Sequence, residues 1–314
     1  MHESSHTADL LTTKPWVARG QVTDTSIFDP RGMVGPEERA CYFWLAKNCL
    51  SGDGCIVDAG AFLGASTYCF AAGAAAAGIA SYNGRPVISA FDYFKVVDQY
   101  VADAICRDVR PIRLGESYLA IFQSQTDRFN ELIRPYPGNF LDHTWEGDAI
   151  KILFVDISKS EELNSHVVRE FFPALIPGKS LVIQQDYYHC WHPHIHVTME
   201  FLSAECRLID DHVPFQSAVW QLVSPIPRAK LDRLIAYDFT NSEKIELLDR
   251  VIKKSSPRLQ PMMELVRIWQ MRLNGDLDRA NSELLAFREA HDCGAGELWA
   301  TQSREVHDAI GGLS

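Results

Sequence analysis

The chain predicts an α/β protein, with a doubly wound, mostly parallel sheet of seven strands and a C-terminal helical appendage. Three observations predict it. Short apolar runs alternate with helical spans from residue 55 to residue 185. The run 149–156 (AIKILFVD) is apolar almost throughout, as a strand buried on both faces of a parallel sheet must be. Beyond Arg228 strand-like runs vanish and only helical periodicity remains.

Taken in order, 1–34 reads as a loose leader, 35–227 as the main domain and 228–314 as a helical tail. The stretch 35–50 (GPEERACYFWLAKNCL) is an amphipathic helix opened by Pro36 and Glu37 and closed before Ser51-Gly52-Asp53-Gly54. The first strand, Cys55, Ile56 and Val57, passes Asp58, Gly60 and Gly64 into an alanine-rich helix that stops near Gly78. Asn83-Gly84 marks a turn before a second strand, 86–91 (PVISAF), which ends at Asp92. Ile133-Arg134-Pro135-Tyr136 is a short third strand and 149–156 the fourth. A helix over 161–175 stops at Pro177-Gly178, and 180–185 (SLVIQQ) is the fifth strand. After a helical span near 194–204, 207–211 and 217–223 read as an antiparallel pair.

In the tail, 230–252 and 261–290 are helical, the second with a turn at Asn274-Gly275-Asp276. That turn, with Ala280 at a close-packing position, resembles a single tetratricopeptide-type hairpin. One such unit cannot bury its own apolar face. It is therefore expected to dock on the main domain, form a homo-oligomer or bind a partner protein.

The net charge of -11 argues against a nucleic-acid surface and an anionic membrane patch. The long uncharged stretch 59–80 is mostly alanine and glycine, too weakly apolar for a membrane span. The first fifteen residues lack a charged-then-apolar signal pattern, and the eight cysteines form no Cys-x-x-Cys pair. A cytoplasmic location is the expectation.

The stretch from Val57 to Thr67 carries the most chemistry. Gly60 lets the backbone turn sharply, and a β-branched residue there is expected to fill a ligand's approach path. Gly64 allows close packing where the helix begins, and Ser66 or Thr67 can satisfy its free first-turn donors. The spacing is Gly-x-x-x-Gly rather than the Gly-x-Gly-x-x-Gly of dinucleotide folds. Asp58-Ala59-Gly60-Ala61-Phe62-Leu63-Gly64-Ala65-Ser66 resembles the first motif of class I S-adenosylmethionine-dependent methyltransferases. Its DxGxFxGxS form is particularly similar to the branch of macrocin-type sugar O-methyltransferases. Repeated βα units closed by an antiparallel pair resemble the same architecture, over about 35–223.

The resemblance implies a Rossmann-like methyltransferase fold that binds S-adenosylmethionine through Asp58, Gly60, Phe62, Gly64 and Ser66. Asp92, one βα unit on, suits the ribose hydroxyls, and Tyr93 and Phe94 could flank the adenine. Asn139 stands where related enzymes often place an aspartate near that ring. Strand-end Asp156 and Asp186, with Gln185, would hold Mg²⁺ and a hydroxyl of a small acceptor, a sugar or phenol. Gln185 departs from the Asp-Asp and Asp-Asn pairs of macrocin-type and catechol-type enzymes and lowers the charge of the site. Asp156 and Lys159 repeat the spacing of ligand and base in catechol-type enzymes, so Lys159 or His189 would take the proton.

Four histidines in 189–196 leave a different metal open, non-haem iron held by His-x-His with Asp186. Trp191, Tyr187 and Tyr188 could wall an acceptor site. The rival from another class is a cofactor-binding protein without turnover that interacts through its tail.

Overall fold

The computed structural model describes residues 12–213, 216–291 and 298–311. Seven strands form one sheet: β1 (Cys55–Ala59), β2 (Ile88–Asp92), β3 (Ile133–Pro137), β4 (Ile150–Val155), β5 (Leu181–Gln184), β6 (Cys206–Val213) and β7 (Ser217–Leu222). Their spatial order is β3-β2-β1-β4-β5-β7-β6, all parallel except β7, which runs antiparallel to both its neighbours. The strand order reverses between β1 and β4, so a crevice opens there, outside the strands' carboxyl ends.

Alternation along the strands builds two cores. Val57, Leu153, Val182 and Trp220 face one side of the sheet; Ile56, Ile152, Phe154, Ile183 and Val219 face the other. The second side is covered by α1 (Pro36–Cys49) and α2 (Ala65–Ala76), whose close approach requires glycine at 73. A Cβ on Gly73 would collide with the Phe43 carbonyl oxygen. The same side takes α3 (Gln99–Asp108) and α4 (Leu119–Thr126), two helices that the sequence reading did not find. The first side receives α5 (Glu161–Glu170) and α6 (Pro193–Phe201).

Part of the expected loose leader is built into this structure. Short 3₁₀ turns at Pro15–Val17 and Thr25–Phe28 bury Trp16 against Trp44 and Ile27 completely. The Ile27 carbonyl accepts from Arg39 Nη1 (2.9 Å).

In the tail, the helix expected over 230–252 is two helices, α7 (Arg228–Ala236) and α8 (Asn241–Lys254). Tyr237 ends α7 in the left-handed region (φ 47°), and Thr240 with Glu243 caps α8 reciprocally. The hairpin is α9 (Gln260–Leu273) and α10 (Leu277–Ala290), and α11 (Leu298–Gly311) follows. Its apolar faces are docked on the main domain. Leu248, Met262, Leu265 and Phe287 share one core with Leu153 and Val182. Residue 228 thus divides strand from helix but not one core from another. Among the described residues no helix is long and apolar enough to cross a membrane.

One buried charge ties α1 to the β6–β7 hairpin. Glu38 accepts from Gly35 N (3.0 Å), Ser217 Oγ (2.6 Å) and Gln216 N (3.3 Å). Burial pushes its pKa up from 4.5 to about 7. The folded chain therefore holds this proton more tightly than the unfolded chain. Stability falls as pH rises from about 4.5 to about 7, by about 3 kcal/mol at most, and is then flat. Glu38→Gln should remove that slope. The gap in Tm between Glu38→Gln and wild type is expected to move in the variant's favour from pH 5 to pH 8, and a constant gap would contradict it.

Candidate functional site

A cavity of about 980 Å³ opens at the switch point. Gly60, Phe62, Asp92 and Tyr118 line it from the β1–β2 side, and Asp156, Lys159, Gln185, Asp186, His189, Trp191 and His192 from the β4–β5 side.

The glycine turn is held tightly. Gly60 N and Ala61 N both donate to the Phe91 carbonyl (2.9 and 3.1 Å), and Asp156 N donates to the Ala59 carbonyl (2.7 Å). Gly60 has φ +107°, and a Cβ there would lie 2.7 Å from the Asp156 carbonyl oxygen. At Gly64 (φ +96°) it would lie 2.8 Å from Thr126 Cγ2, so both glycines are required by neighbouring protein atoms.

Asp58 lies fully buried behind the turn. Ser66 Oγ (2.9 Å) and Thr67 Oγ1 (2.5 Å) both donate to its Oδ2, rather than satisfying the first turn of α2 as the sequence suggested. With no cation beside it, the carboxylate takes the hydroxyls at hand, and burial still pushes its pKa to about 7. Its Oδ1 is buried without a partner. Ser66 also borders a small recess shared with Gly60, Phe62 and Asp156.

Asp92 closes β2 at the cavity wall. Its Oδ2 accepts from Phe62 N (2.8 Å), and its Oδ1 from Phe94 N (2.9 Å) and from the Tyr118 hydroxyl. With the Tyr93 N–H, which also acts on this carboxylate, these donors take up most of its acceptor capacity. Burial raises its pKa, while these donors pull it back. Tyr93 is half exposed in the cavity, whereas Phe94 turns into the core. Asn139 lies outside the cavity lining, where its Oδ1 accepts from Leu141 N (3.3 Å) and caps a short 3₁₀ turn.

The opposite wall carries its own cation. Lys159 Nζ donates to Asp156 Oδ1 (2.7 Å) and to Asp186 Oδ2. Partial desolvation disfavours the ammonium, whose side chain is half exposed, but the two carboxylates outweigh it and hold the lysine pKa above its ordinary value. Gln185 completes the cluster. With its amide oriented to satisfy its neighbours, its nitrogen donates to Asp186 Oδ1 (2.9 Å) and Asp156 Oδ1 (3.2 Å). A divalent ion needs acceptor oxygens turned inward. Here the Lys159 ammonium bridges the two carboxylates and takes up the charge that a divalent ion would neutralise, so the arrangement does not fit Mg²⁺. Among the described residues no three His, Cys, Asp or Glu side chains gather so as to hold a metal.

The histidine run is divided by its backbone. His194 Nε2 meets the Ser158 carbonyl (2.8 Å) and His196 Nε2 the Tyr187 carbonyl (2.6 Å), both on the protein side and both buried. These contacts turn the expected His-x-His iron pair away from Asp186. His189 and His192 line the cavity instead, each with a buried Nδ1 that has no partner. Burial lowers both pKa values, that of His192 to about 3. Of the aromatic wall, only Trp191 lines the cavity; Tyr187 packs on His196 and Trp220.

Tyr118 was missed by the sequence reading, because no motif links it to Asp92 at a separation of 26 residues. Met33 and Val34 were missed for a different reason, since they line the cavity from the stretch read as leader.

No family model matches the chain, and no curated protein does. Among solved structures it is similar to the O-methyltransferase NovP, at 16% identity over 71% of this chain and 100% of that one, with a TM-score of 0.48. A calicheamicin methyltransferase, CalS11, is similar at 16% identity over 70% of this chain and 91% of that one (TM-score 0.42). An O-methyltransferase from Bacillus cereus in complex with SAH is similar at 14% identity over 68% and 97% (TM-score 0.41). The fold assignment rests on the observed strand order. The chain has the Rossmann-like methyltransferase fold, extended by a helical tail.

Proposed function

We propose that this protein is an S-adenosylmethionine-dependent methyltransferase acting on a hydroxyl of a small acceptor, without a divalent metal. The observation that carries the reading is one cavity at the switch point with two unlike walls. The glycine turn and Asp92 form a nucleoside-type wall, and the Lys159 cluster with His189 forms a wall able to handle a hydroxyl proton.

Gly60, Phe62 and Asp92 would hold the cofactor, with the Asp92 carboxylate at the cavity wall suited to its ribose. When bound, S-adenosylmethionine supplies an electrophilic methyl group. The protein must then align an acceptor oxygen and take its proton. Lys159 is held as an ammonium, so it serves as a donor and not as the base. Two of its three N–H groups are engaged by Asp156 and Asp186. The third remains for the acceptor oxygen and stabilises the negative charge that grows there. His189 is neutral near pH 7 because burial lowers its pKa, which leaves an imidazole nitrogen free to accept the proton.

The test is calorimetric titration with S-adenosylmethionine, followed by transfer of labelled methyl to a panel of sugars and phenols. Micromolar binding and transfer are expected, with curves that superimpose in Mg²⁺ and in EDTA. Loss of transfer in EDTA would restore the metal and sink the lysine reading. Absence of cofactor binding in every condition would sink the transferase.

A further inference from the structure

The tail reaches back to the active-site wall, and one of its side chains grips the backbone there. Gln302 of α11 is 6% exposed, 114 residues from its acceptor. Its Oε1 accepts from Cys190 N (2.8 Å), and its Nε2 donates to the Tyr188 carbonyl (3.0 Å). The residue between those two backbone groups is His189. The Tyr188 carbonyl belongs to the peptide before His189 and the Cys190 N–H to the peptide after it. One planar amide therefore holds both peptide planes that flank the His189 Cα, and so aims its Cα–Cβ bond.

The rest of the segment is held by α6 of the main domain as well as by the tail. His196 Nε2 meets the Tyr187 carbonyl (2.6 Å), and the Trp191 ring stands edge-on to Trp269 of α9, with centroids 4.3 Å apart. A segment that leaves a parallel strand end carries backbone groups that no sheet partner satisfies. Local bonds from His189 N to the Asp186 carbonyl (3.0 Å) and from His192 N to the His189 carbonyl (3.3 Å) satisfy some of them. The tail supplies the partners of the Tyr188 carbonyl and the Cys190 N–H, and a glutamine is suited to it because it presents a donor and an acceptor together.

We infer that Gln302 is a positioning residue: the helical tail is part of the catalytic apparatus and orients His189. This rests on the methyltransferase reading for its catalytic consequence, but the geometry can be tested apart from it.

The experiment compares wild type, Gln302→Ala, Gln302→Glu and Arg267→Ala in the full chain. Arg267 pairs with Asp249 and Glu283 inside the tail and touches neither the cavity nor the 188–190 backbone, so it controls for loosening of the tail alone. Amide exchange of 188–192, cofactor affinity, kcat and acceptor KM are read for each.

In Gln302→Ala, exchange of the Cys190 amide is expected to quicken and kcat to fall about 10- to 100-fold, the cost of a small misplacement. Cofactor affinity and acceptor KM should change less than threefold. Gln302→Glu keeps the acceptor for Cys190 N but loses the donor, so it should recover part of kcat. Arg267→Ala should lower Tm and leave kcat alone. Unchanged Cys190 exchange in Gln302→Ala, or an equal fall of kcat in Arg267→Ala, would overturn the inference. If wild type transfers no methyl, the functional reading fails, while quickened Cys190 exchange still establishes the clamp and unchanged exchange still refutes it.

Discussion

His189→Ala is expected to lower kcat for methyl transfer by about 10²- to 10⁴-fold, the usual contribution of a positioned general base. Affinity for S-adenosylmethionine should stay within twofold, because Gly60, Phe62 and Asp92 lie on the other wall of the cavity. The pH profile should change with it. A base works deprotonated, so wild-type kcat falls as pH falls through the His189 pKa. Burial sets that pKa below 6.5, with Asp186 and Glu305 raising it and Lys159 lowering it. In His189→Ala this acid limb should disappear. His192 is the discriminating comparison. It lines the same cavity with the same buried, unpartnered Nδ1, but burial takes its pKa to about 3. So weak a base contributes little near neutral pH. His192→Ala is therefore expected to cost less than about tenfold, and the reverse ranking of the two variants would move the base to His192.

These two histidines mark what a sequence can and cannot disclose. The strands were legible because burial on both faces demands continuous apolar runs, and the glycines were legible because a strand-to-helix turn demands positive φ. Asp156 and Asp186 were found by the same logic, as strand ends. Their chemistry was not, since it depends on where Lys159 Nζ comes to rest, and neighbours in the sequence do not reveal that a lysine spans two strands. The histidine run failed in another way. Its spacing offered a metal pair, but His194 and His196 are spent on the Ser158 and Tyr187 carbonyls, contacts made by folding of the following helix. For α3 a signal was present and unused. Asp98 caps it, accepting from Val101 N (2.8 Å), and Ala102 and Ile105 recur at helical spacing on its buried face. Gln302 carried no signal at all, because a tail helix that grips backbone needs no motif in the segment it grips.

Gly60→Ala is expected to cost about 2–6 kcal/mol of stability and to abolish measurable binding of S-adenosylmethionine. Two costs combine. An L-residue at φ +107° is strained by about 1–3 kcal/mol. The added methyl would also lie 2.7 Å from the Asp156 carbonyl oxygen, 2.8 Å from its carbon and 3.0 Å from its Cβ. Overpacking against backbone adds about 1–3 kcal/mol, because Asp156, just past the end of β4, is held to the Ala59 carbonyl by its own N–H and cannot rotate away freely. The sequence reading placed the obstruction in the ligand's path; the structure places it first in the protein. Relief of the contact must push Asp156 outward, and Asp156 carries Lys159 with it. One methyl group should therefore disturb the cofactor wall and the proton-handling wall together. Gly52→Ala separates the two costs, since Gly52 also has positive φ (+76°) but nothing within 4 Å of a new Cβ. Thermal unfolding should show a small loss for Gly52→Ala with cofactor affinity intact, and a much larger loss for Gly60→Ala. If the two variants lose equal stability, the contact with Asp156 is not what requires glycine at 60. If Gly60→Ala is unstable yet binds the cofactor normally, the nucleoside wall lies elsewhere in the cavity.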